Sequence, residues 1–220
     1  MDGADLVEVR SSRDGSVLLA VPAPISGVGF GASLAALGDL DGDGFEDFAV
    51  GVFYQSVVHV FSGALGSALR RFADSRPFFG VSLASLGDVN GDGFEDLAIG
   101  SLPDTHNGVS GAVSLFSVRD GLRLWIVESP FPPAAFGEVV EAVGDWNQDG
   151  ITDFAVGIAA QSSGGMLLNG WIGIYSSSNR AQLGEFQGGL TGQQVGHAIG
   201  PAGDLNRDGY PDLLTNSVAV

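Results

Sequence analysis

Short apolar runs alternate with turn residues along the whole chain, and no stretch holds the 3.6-residue period of an amphipathic helix. Val57-Val58-His59-Val60-Phe61, Ala112-Val113-Ser114-Leu115-Phe116 and Trp171-Ile172-Gly173-Ile174-Tyr175 are β-branched and aromatic, as strands are. A second run follows the first two after a tight turn: Leu69-Arg70-Arg71-Phe72, and Leu122-Arg123-Leu124-Trp125-Ile126-Val127 after Arg119-Asp120-Gly121. Each such pair reads as a hairpin. Two more short strands precede them, for example Ser33 to Leu37 and Phe48 to Gly51.

These strands belong to a repeat. Units of 22 residues begin at Phe30, Phe79, Phe136 and Val195 and align without insertion or deletion. Their starts lie 49, 57 and 59 residues apart, the period of a solenoid or propeller. About four short antiparallel strands per repeat is the content of a propeller blade, so an all-β β-propeller is expected. The expected division is a half-blade over 1–29, blades over 30–78, 79–135 and 136–194, and a half-blade over 195–220. The N-terminal segment Glu8 to Gly15 resembles the third-strand hairpin Leu115 to Gly121, and Gly15 to Phe30 spans 15 residues, as does Gly121 to Phe136. The chain therefore starts with strands three and four of a blade and ends with strands one and two. The two halves have the lengths to close into a fourth blade. A closed four-bladed ring, half of an eight-bladed homodimer and a segment of a longer propeller all satisfy that arithmetic.

Composition adds a charge to explain. The formal net charge is −17, from 26 acidic and 9 basic residues, and all nine basic residues are Arg. That balance argues against a nucleic-acid partner or an anionic membrane surface. No apolar run approaches the ~20 residues of a membrane span. The absence of Cys excludes disulfides, thiol nucleophiles and zinc–thiolate sites. Met1-Asp2-Gly3-Ala4-Asp5 is acidic and lacks a hydrophobic h-region, so no signal peptide is expected in this chain.

The charge sits in a nine-residue loop inside each unit. The first copy carries Asp39, Asp41, Asp43 and Asp47, with Gly44 at position 6 and Phe45 at position 7. The second has Asp88, Asn90, Asp92, Phe94 and Asp96 at positions 1, 3, 5, 7 and 9, and the third Asp145, Asn147, Asp149, Ile151 and Asp153. The fourth has Asp204, Asn206, Asp208, Tyr210 and Asp212. Positions 1, 3, 5 and 9 of these loops hold half of the acidic residues. Carboxylates so close together repel unless a cation sits among them, and alternate side chains of a tight loop can point inward. Calcium takes six to eight oxygens in a flexible cage, and a position-6 Gly lets the position-7 carbonyl turn inward. The expected ligands are the side chains at positions 1, 3, 5 and 9 plus the carbonyl of Phe45, Phe94, Ile151 or Tyr210, with up to four Ca2+ per chain. Magnesium demands a stricter octahedron. An EF-hand fails, because its bidentate Glu at position 12 is replaced by Val50, Ile99, Val156 and Thr215.

The units resemble FG-GAP repeats, the calcium-binding blades of integrin α-subunit propellers and of many bacterial surface and secreted proteins. Phe-Gly at 30–31, 79–80 and 136–137, the DxDxDGxxD loop and the closing Phe61-Ser62-Gly63 carry the resemblance. It implies calcium sites between strands one and two on one rim, a non-catalytic adhesion or protein-binding scaffold, and an extracellular or cell-surface setting. The departures are Val195-Gly196 in place of Phe-Gly, no position-4 Gly in loops three and four, and Arg207 inside loop four. The family commonly has seven blades, and this chain encodes four. Variable segments at 53–55, 102–111 and 160–170 are where ligand specificity is expected. A glycan-binding module, or the non-catalytic part of a larger secreted enzyme, is the alternative. His59, His106 and His197 show no metal-type spacing and no G-x-S-x-G elbow occurs, so no catalytic residue is assigned.

Overall fold

A computed structural model describes residues 5–24, 29–131, 135–160, 165 and 169–217. Three four-stranded antiparallel sheets follow one another along the chain. The first contains β3 (Phe30–Ala36), β4 (Phe48–Val52), β5 (Val57–Phe61) and β6 (Ala68–Ala73) in sequence order. The second contains β7 (Leu83–Ser85), β8 (Asp96–Ser101), β9 (Ala112–Ser117) and β10 (Arg123–Glu128), and the third β11 (Val139–Gly144), β12 (Asp153–Ile158), β13 (Trp171–Tyr175) and β14 (Gln182–Gln187). The only helix among the described residues is a 3-10 turn at Phe53–Gln55. This is the all-β, propeller-type architecture the repeat implied.

The half-blades differ from one expectation. β1 (Leu6–Arg10) pairs only with β2 (Val17–Pro22), and β15 (Ile199–Gly203) only with β16 (Asp212–Thr215). They form two separate two-stranded sheets, so within one chain they do not close into a fourth blade. The reason is positional: β1–β2 packs against the first complete blade and β15 against β11 of the third, with all three complete blades between.

The core lies between sheets, and strand alternation feeds both sides of each sheet. Ala49 packs with Phe79, Leu97 and Phe116 of the next blade, whereas its neighbour Val50 packs with Val7 and Val21 of the N-terminal hairpin. Likewise Phe154 and Val156 face the second blade with Val113 and Leu115, and Ala155 faces Val195 of the C-terminal half-blade. Middle strands are therefore covered on both faces: β8, β9, β12 and β13 are buried at every position. The Trp171 ring is fully buried against Phe131 and Phe136, and Trp125 stacks on Phe154 at 5.3 Å.

The sheets touch through paired glycines. A Cβ on Gly100 would fall well inside contact with the Gly137 carbonyl and Ser82 Oγ, and Gly51 stands in the same relation to Gly80 and Ser33. Gly157 meets the Gly196 carbonyl in the third case. Gly80, Gly137 and Gly196, the second residues of the second, third and fourth units, thus dock on the second strand of the preceding blade. Ser82 Oγ donates to the Gly137 carbonyl at 2.7 Å and Ser33 Oγ to Gly80 at 2.6 Å. The first strands β3, β7, β11 and β15 are neighbours in turn.

Candidate metal centres

Each acidic loop joins the first strand of a blade to the second, and its shape comes from side-chain oxygens accepting the loop's own N–H groups. In loop one, Asp39 Oδ1 accepts from Gly42 at 2.7 Å and Asp43 at 3.1 Å, and its Oδ2 accepts from Gly44 at 2.8 Å. Asp88 of loop two takes Gly91, Asp92 and Gly93 at 2.7, 3.0 and 2.8 Å. Asp145 and Asp204 hold the corresponding Gly150 and Gly209 at 2.8 and 2.9 Å. Position 3 accepts from position 5 in every copy, at 2.8–3.1 Å for Asp41, Asn90, Asn147 and Asn206. Position 5 accepts from position 7: Asp43 from Phe45, Asp92 from Phe94, Asp149 from Ile151 and Asp208 from Tyr210, at 2.9–3.0 Å.

Position 6 needs glycine. Gly44, Gly93, Gly150 and Gly209 have φ of 90°, 87°, 88° and 91°, a region L side chains avoid. Position 4 is also left-handed, with Gly42 and Gly91 in loops one and two but Gln148 (φ 60°) and Arg207 (φ 63°) in loops three and four. Those two copies also lack the position-4 N–H bond to the first Asp that Gly42 and Gly91 make. Arg207 is exposed and forms no ion pair with the loop-four carboxylates.

The ninth residue clasps the loop. Asp47 Oδ2 accepts Leu40 N–H at 2.8 Å, Asp96 Oδ2 accepts Val89 and Asn90 at 2.9 and 3.1 Å, and Asp153 Oδ2 accepts Trp146 and Asn147 at 2.9 and 3.3 Å. These three are at most 2 % exposed. The third strand closes the other side. Gly63 N–H donates to Asp47 Oδ1 at 2.9 Å and Ser177 N–H to Asp153 Oδ1 at 3.2 Å. Ser62, Ser117 and Ser178 hydroxyls reach Oδ2 of Asp43, Asp92 and Asp149 at 3.3, 3.1 and 2.6 Å. These serines escaped the loop motif, although Ser62, Ser117 and Ser176 recur after each third-strand run. In loop four, Asp212 Oδ2 accepts from Leu205 and Asn206 at 2.7 and 3.3 Å.

The electrostatics record crowding. Carboxylate oxygens of Asp39, Asp41 and Asp43 lie within 4.8 Å of one another. Desolvation raises the Asp41 carboxyl above its ordinary range, helped by the charges of Asp43, Asp47 and Asp39. Burial pushes Asp96 up to about 6, against the Val89 and Asn90 N–H bonds, and raises Asp153 by the same cause. Asp149 is held low, first by the Ser178 hydroxyl. Asp92 is lowered because bonds from Asn90, Phe94 and Ser117 and the Arg119 charge outweigh its desolvation. Asp96 Oδ1 is buried with no hydrogen-bond partner. A set of hard oxygens, mutually repelling and with one orphaned carboxylate oxygen, fits a hard divalent cation.

A family model described as "FG-GAP repeat" matches residues 30–61 and 79–116, which enclose loops one and two. The chain carries FG-GAP repeats over those two stretches. Beyond them, it is 28 % identical over 206 residues to integrin alpha-V of Gallus gallus, a match covering 84 % of this chain and 20 % of that protein. A solved structure described as BBS1N in complex with ARL6DN, soaked with lead, superposes with a TM-score of 0.58 at 12 % identity, over 88 % of this chain and 48 % of that one. That likeness concerns the fold. The chain spans about a fifth of the integrin and about half of the other protein. The third and fourth FG-GAP-like units, outside the matched residues, are those with Gln148 and Arg207 at position 4.

The other candidate positions fall elsewhere. His59 lies half-buried in β5, where burial and the nearby Arg71 charge lower its pKa. His106 is 95 % exposed and 3.8 Å from Asp104, and His197 is exposed on the approach to β15. Nothing brings these three together. Most of the variable segment 160–170 lies outside the described residues. No helix of the described residues is long and apolar enough to cross a membrane.

Proposed function

We propose that this chain is a calcium-stabilised β-propeller that serves as a non-catalytic adhesion or protein-binding scaffold outside the cell. The observation that carries the reading is the loop built four times on one plan, with Asp39, Asp41 and Asp43 converging in the first copy. The side chains at positions 1, 3, 5 and 9 and the position-7 carbonyls would hold the ion. Its charge would offset the desolvation and repulsion that raise Asp41 and the burial that raises Asp96 and Asp153. The bound ion ties strand one, strand two and the strand-three turn into one unit, so binding free energy becomes folding free energy. Extracellular modules of this ligand type bind calcium at roughly 10⁻⁴–10⁻³ M, which suits the exterior of a cell. The likeness to an integrin α-chain supports the adhesion reading. FG-GAP propellers of this type are generally non-enzymatic.

Titration calorimetry tests the reading directly. Up to four calcium ions are expected per chain, and the Asp41→Ala/Asp43→Ala variant loses the loop-one site. Absence of calcium binding at millimolar concentration overturns it. One observation favours a second reading, glycan binding. Phe53, Tyr54 and Phe78 form an aromatic group with centroids 4.2–6.2 Å apart, and Tyr54 is 66 % exposed. Phe53 and Tyr54 lie on the strand-two to strand-three connection, at the end of the blade away from the acidic loop, and Phe78 on the link from β6 to β7. A glycan array with Tyr54→Ala as control separates the two readings.

A further inference from the structure

The turn beyond the third strand of each complete blade differs at one position beside the acidic loop. Two residues after the turn serine stand Ala64 in the first blade, Arg119 in the second and Ser178 in the third. Arg119 Nη1 donates to the Asp92 carbonyl at 2.8 Å, and its guanidinium lies 5.0 Å from the Phe94 ring centroid. Asp92 and Phe94 are positions 5 and 7 of loop two. The Arg119 carbonyl accepts in turn from the Arg70 guanidinium of β6, so the turn is tied to the first blade as well. Arg70, Arg119, Leu40 and Asp41 line a cavity of about 210 Å³ between loop one and this turn. Nearby, Arg76 and Arg123 are neutralised by Glu128 at 2.5 Å and Asp74 at 2.8 Å. Arg119 forms no ion pair among the described residues. Its charge is left to act on loop two, whose carboxylates are Asp88, Asp92 and Asp96, while Glu95 of the same loop accepts the Ser85 hydroxyl. Loop three has three carboxylates at the same positions, with Asn147 for Asn90, but there the neutral Ser178 hydroxyl meets Asp149 at 2.6 Å.

We propose that Arg119 is a fixed cation that holds loop two closed without metal and sets its calcium affinity below that of loop one, an inference that rests on the calcium reading of these loops. The groups Arg119 touches are the Asp92 carbonyl and the Phe94 ring, neither of which is an expected calcium ligand. Those contacts are therefore compatible with an empty loop and a loaded one alike, and what distinguishes the two states is charge. In the empty loop the guanidinium offsets part of the repulsion among Asp88, Asp92 and Asp96. In the loaded loop it stands beside a second cation. Arg119 thus stabilises the empty loop more than the loaded one, and linkage makes that difference equal to the loss in calcium affinity. Arg119 is exposed, so salt screens the effect. Loop one has Ala64 at this place and a fourth carboxylate, Asp41, in its ligand set. As calcium falls, loop two empties first and stays closed, whereas loop one depends on its ion for closure.

The test compares the full chain with its Arg119→Gln and Arg119→Lys variants. Calcium calorimetry is run at about 20 and 500 mM salt, and urea unfolding in EDTA and in millimolar calcium. The binding event that Asp92→Ala removes marks loop two. Arg119→Gln should tighten that event roughly three- to tenfold at low salt, the size of a screened unit charge near a divalent ion, and less at high salt. Arg119→Lys, which keeps the charge, should stay near the parent. Arg119→Gln should also destabilise the chain more in EDTA than in calcium. Loop-two affinity that is unchanged or weaker in Arg119→Gln overturns the inference. So does a gain that Arg119→Lys reproduces or that salt leaves untouched, since either assigns the effect to shape and not to charge. These outcomes leave the calcium reading standing, whereas absence of any binding heat in the parent overturns both.

Discussion

Acidifying the calcium-free chain should stabilise it over a range where most proteins begin to lose stability. Asp96 is fully buried and its carboxyl is pushed up to about 6 from 3.8, foremost by desolvation. A carboxyl whose folded pKa exceeds its unfolded value makes the folded chain the stronger proton binder. Its penalty is absent below pH 3.8, grows as pH rises from there to about 6, and is complete above. A shift of about two units corresponds to roughly 3 kcal/mol, which solvent at the loop mouth trims to about 1–2 kcal/mol. Asp153 and Asp41 act in the same direction. His59 opposes them, since its lowered pKa favours the fold as pH rises toward 6.5. Comparison with Asp96→Asn removes that background and any fixed cost of the amide. Urea melts in EDTA at pH 4.5, 5.5, 6.5 and 7.5 provide the assay. The stability of the parent relative to Asp96→Asn should fall by about 1–2 kcal/mol between pH 4.5 and 7.5. With calcium present the dependence should reverse, because the ion takes the ionised carboxylate. A parent–variant difference that is flat, or that rises with pH in EDTA, refutes the reasoning.

Three further outcomes are expected. Gly100→Ala drives a methyl into the Gly137 carbonyl and Ser82 hydroxyl, so overpacking and a lost hydrogen bond should together cost about 2–4 kcal/mol in urea unfolding. Gln148→Gly relieves a left-handed non-glycine residue and should raise stability by about 0.5–1 kcal/mol after glycine's own entropy cost, measured by thermal melts in calcium. Ser117→Ala removes the hydroxyl on Asp92 and should weaken calcium binding at loop two several-fold in calorimetry while loop one is unchanged.

The strands were legible because middle strands of stacked sheets are buried on both faces, which leaves unbroken apolar runs such as Trp171 to Tyr175. The N-terminal hairpin was legible only through its likeness to Leu115–Gly121, since Leu6 and Leu18 on it are exposed and carry no burial pattern. The acidic loop was legible as spacing, because the side chains at positions 1, 3 and 5 have partners two to five residues away and that at position 9 has one six or seven away. What the spacing hid is whatever lies on another strand or another blade. Gly100 meets Gly137, and Ser117 meets Asp92, through the stacking of sheets and the closing of a hairpin. No local signal marks such a partner. A column of serines after each third strand was visible, but its meaning needed the register that sets Ser117 opposite Asp96.

That register explains why loop and blade belong to one device. The ninth loop residue is also the first residue of the second strand in β8 and β12, so the same aspartate clasps the loop and starts the sheet. Its Oδ2 ties down the loop's second and third residues, and in the first and third blades its Oδ1 receives the turn beyond the third strand. A cation drawn to the loop therefore acts on three strands at once, and the loop takes its complete form only when the third strand is in place. Loop four, whose sheet has no third strand among the described residues, is the copy in which the aspartate is left half-buried. The differences among the four loops follow from this coupling as much as from their own residues. Arg207 and Gln148 stand at the same position with nearly the same φ, yet Asp153 beside Gln148 is buried and Asp212 beside Arg207 is not. Covering β16 with a third strand should therefore change loop four more than replacing Arg207 does.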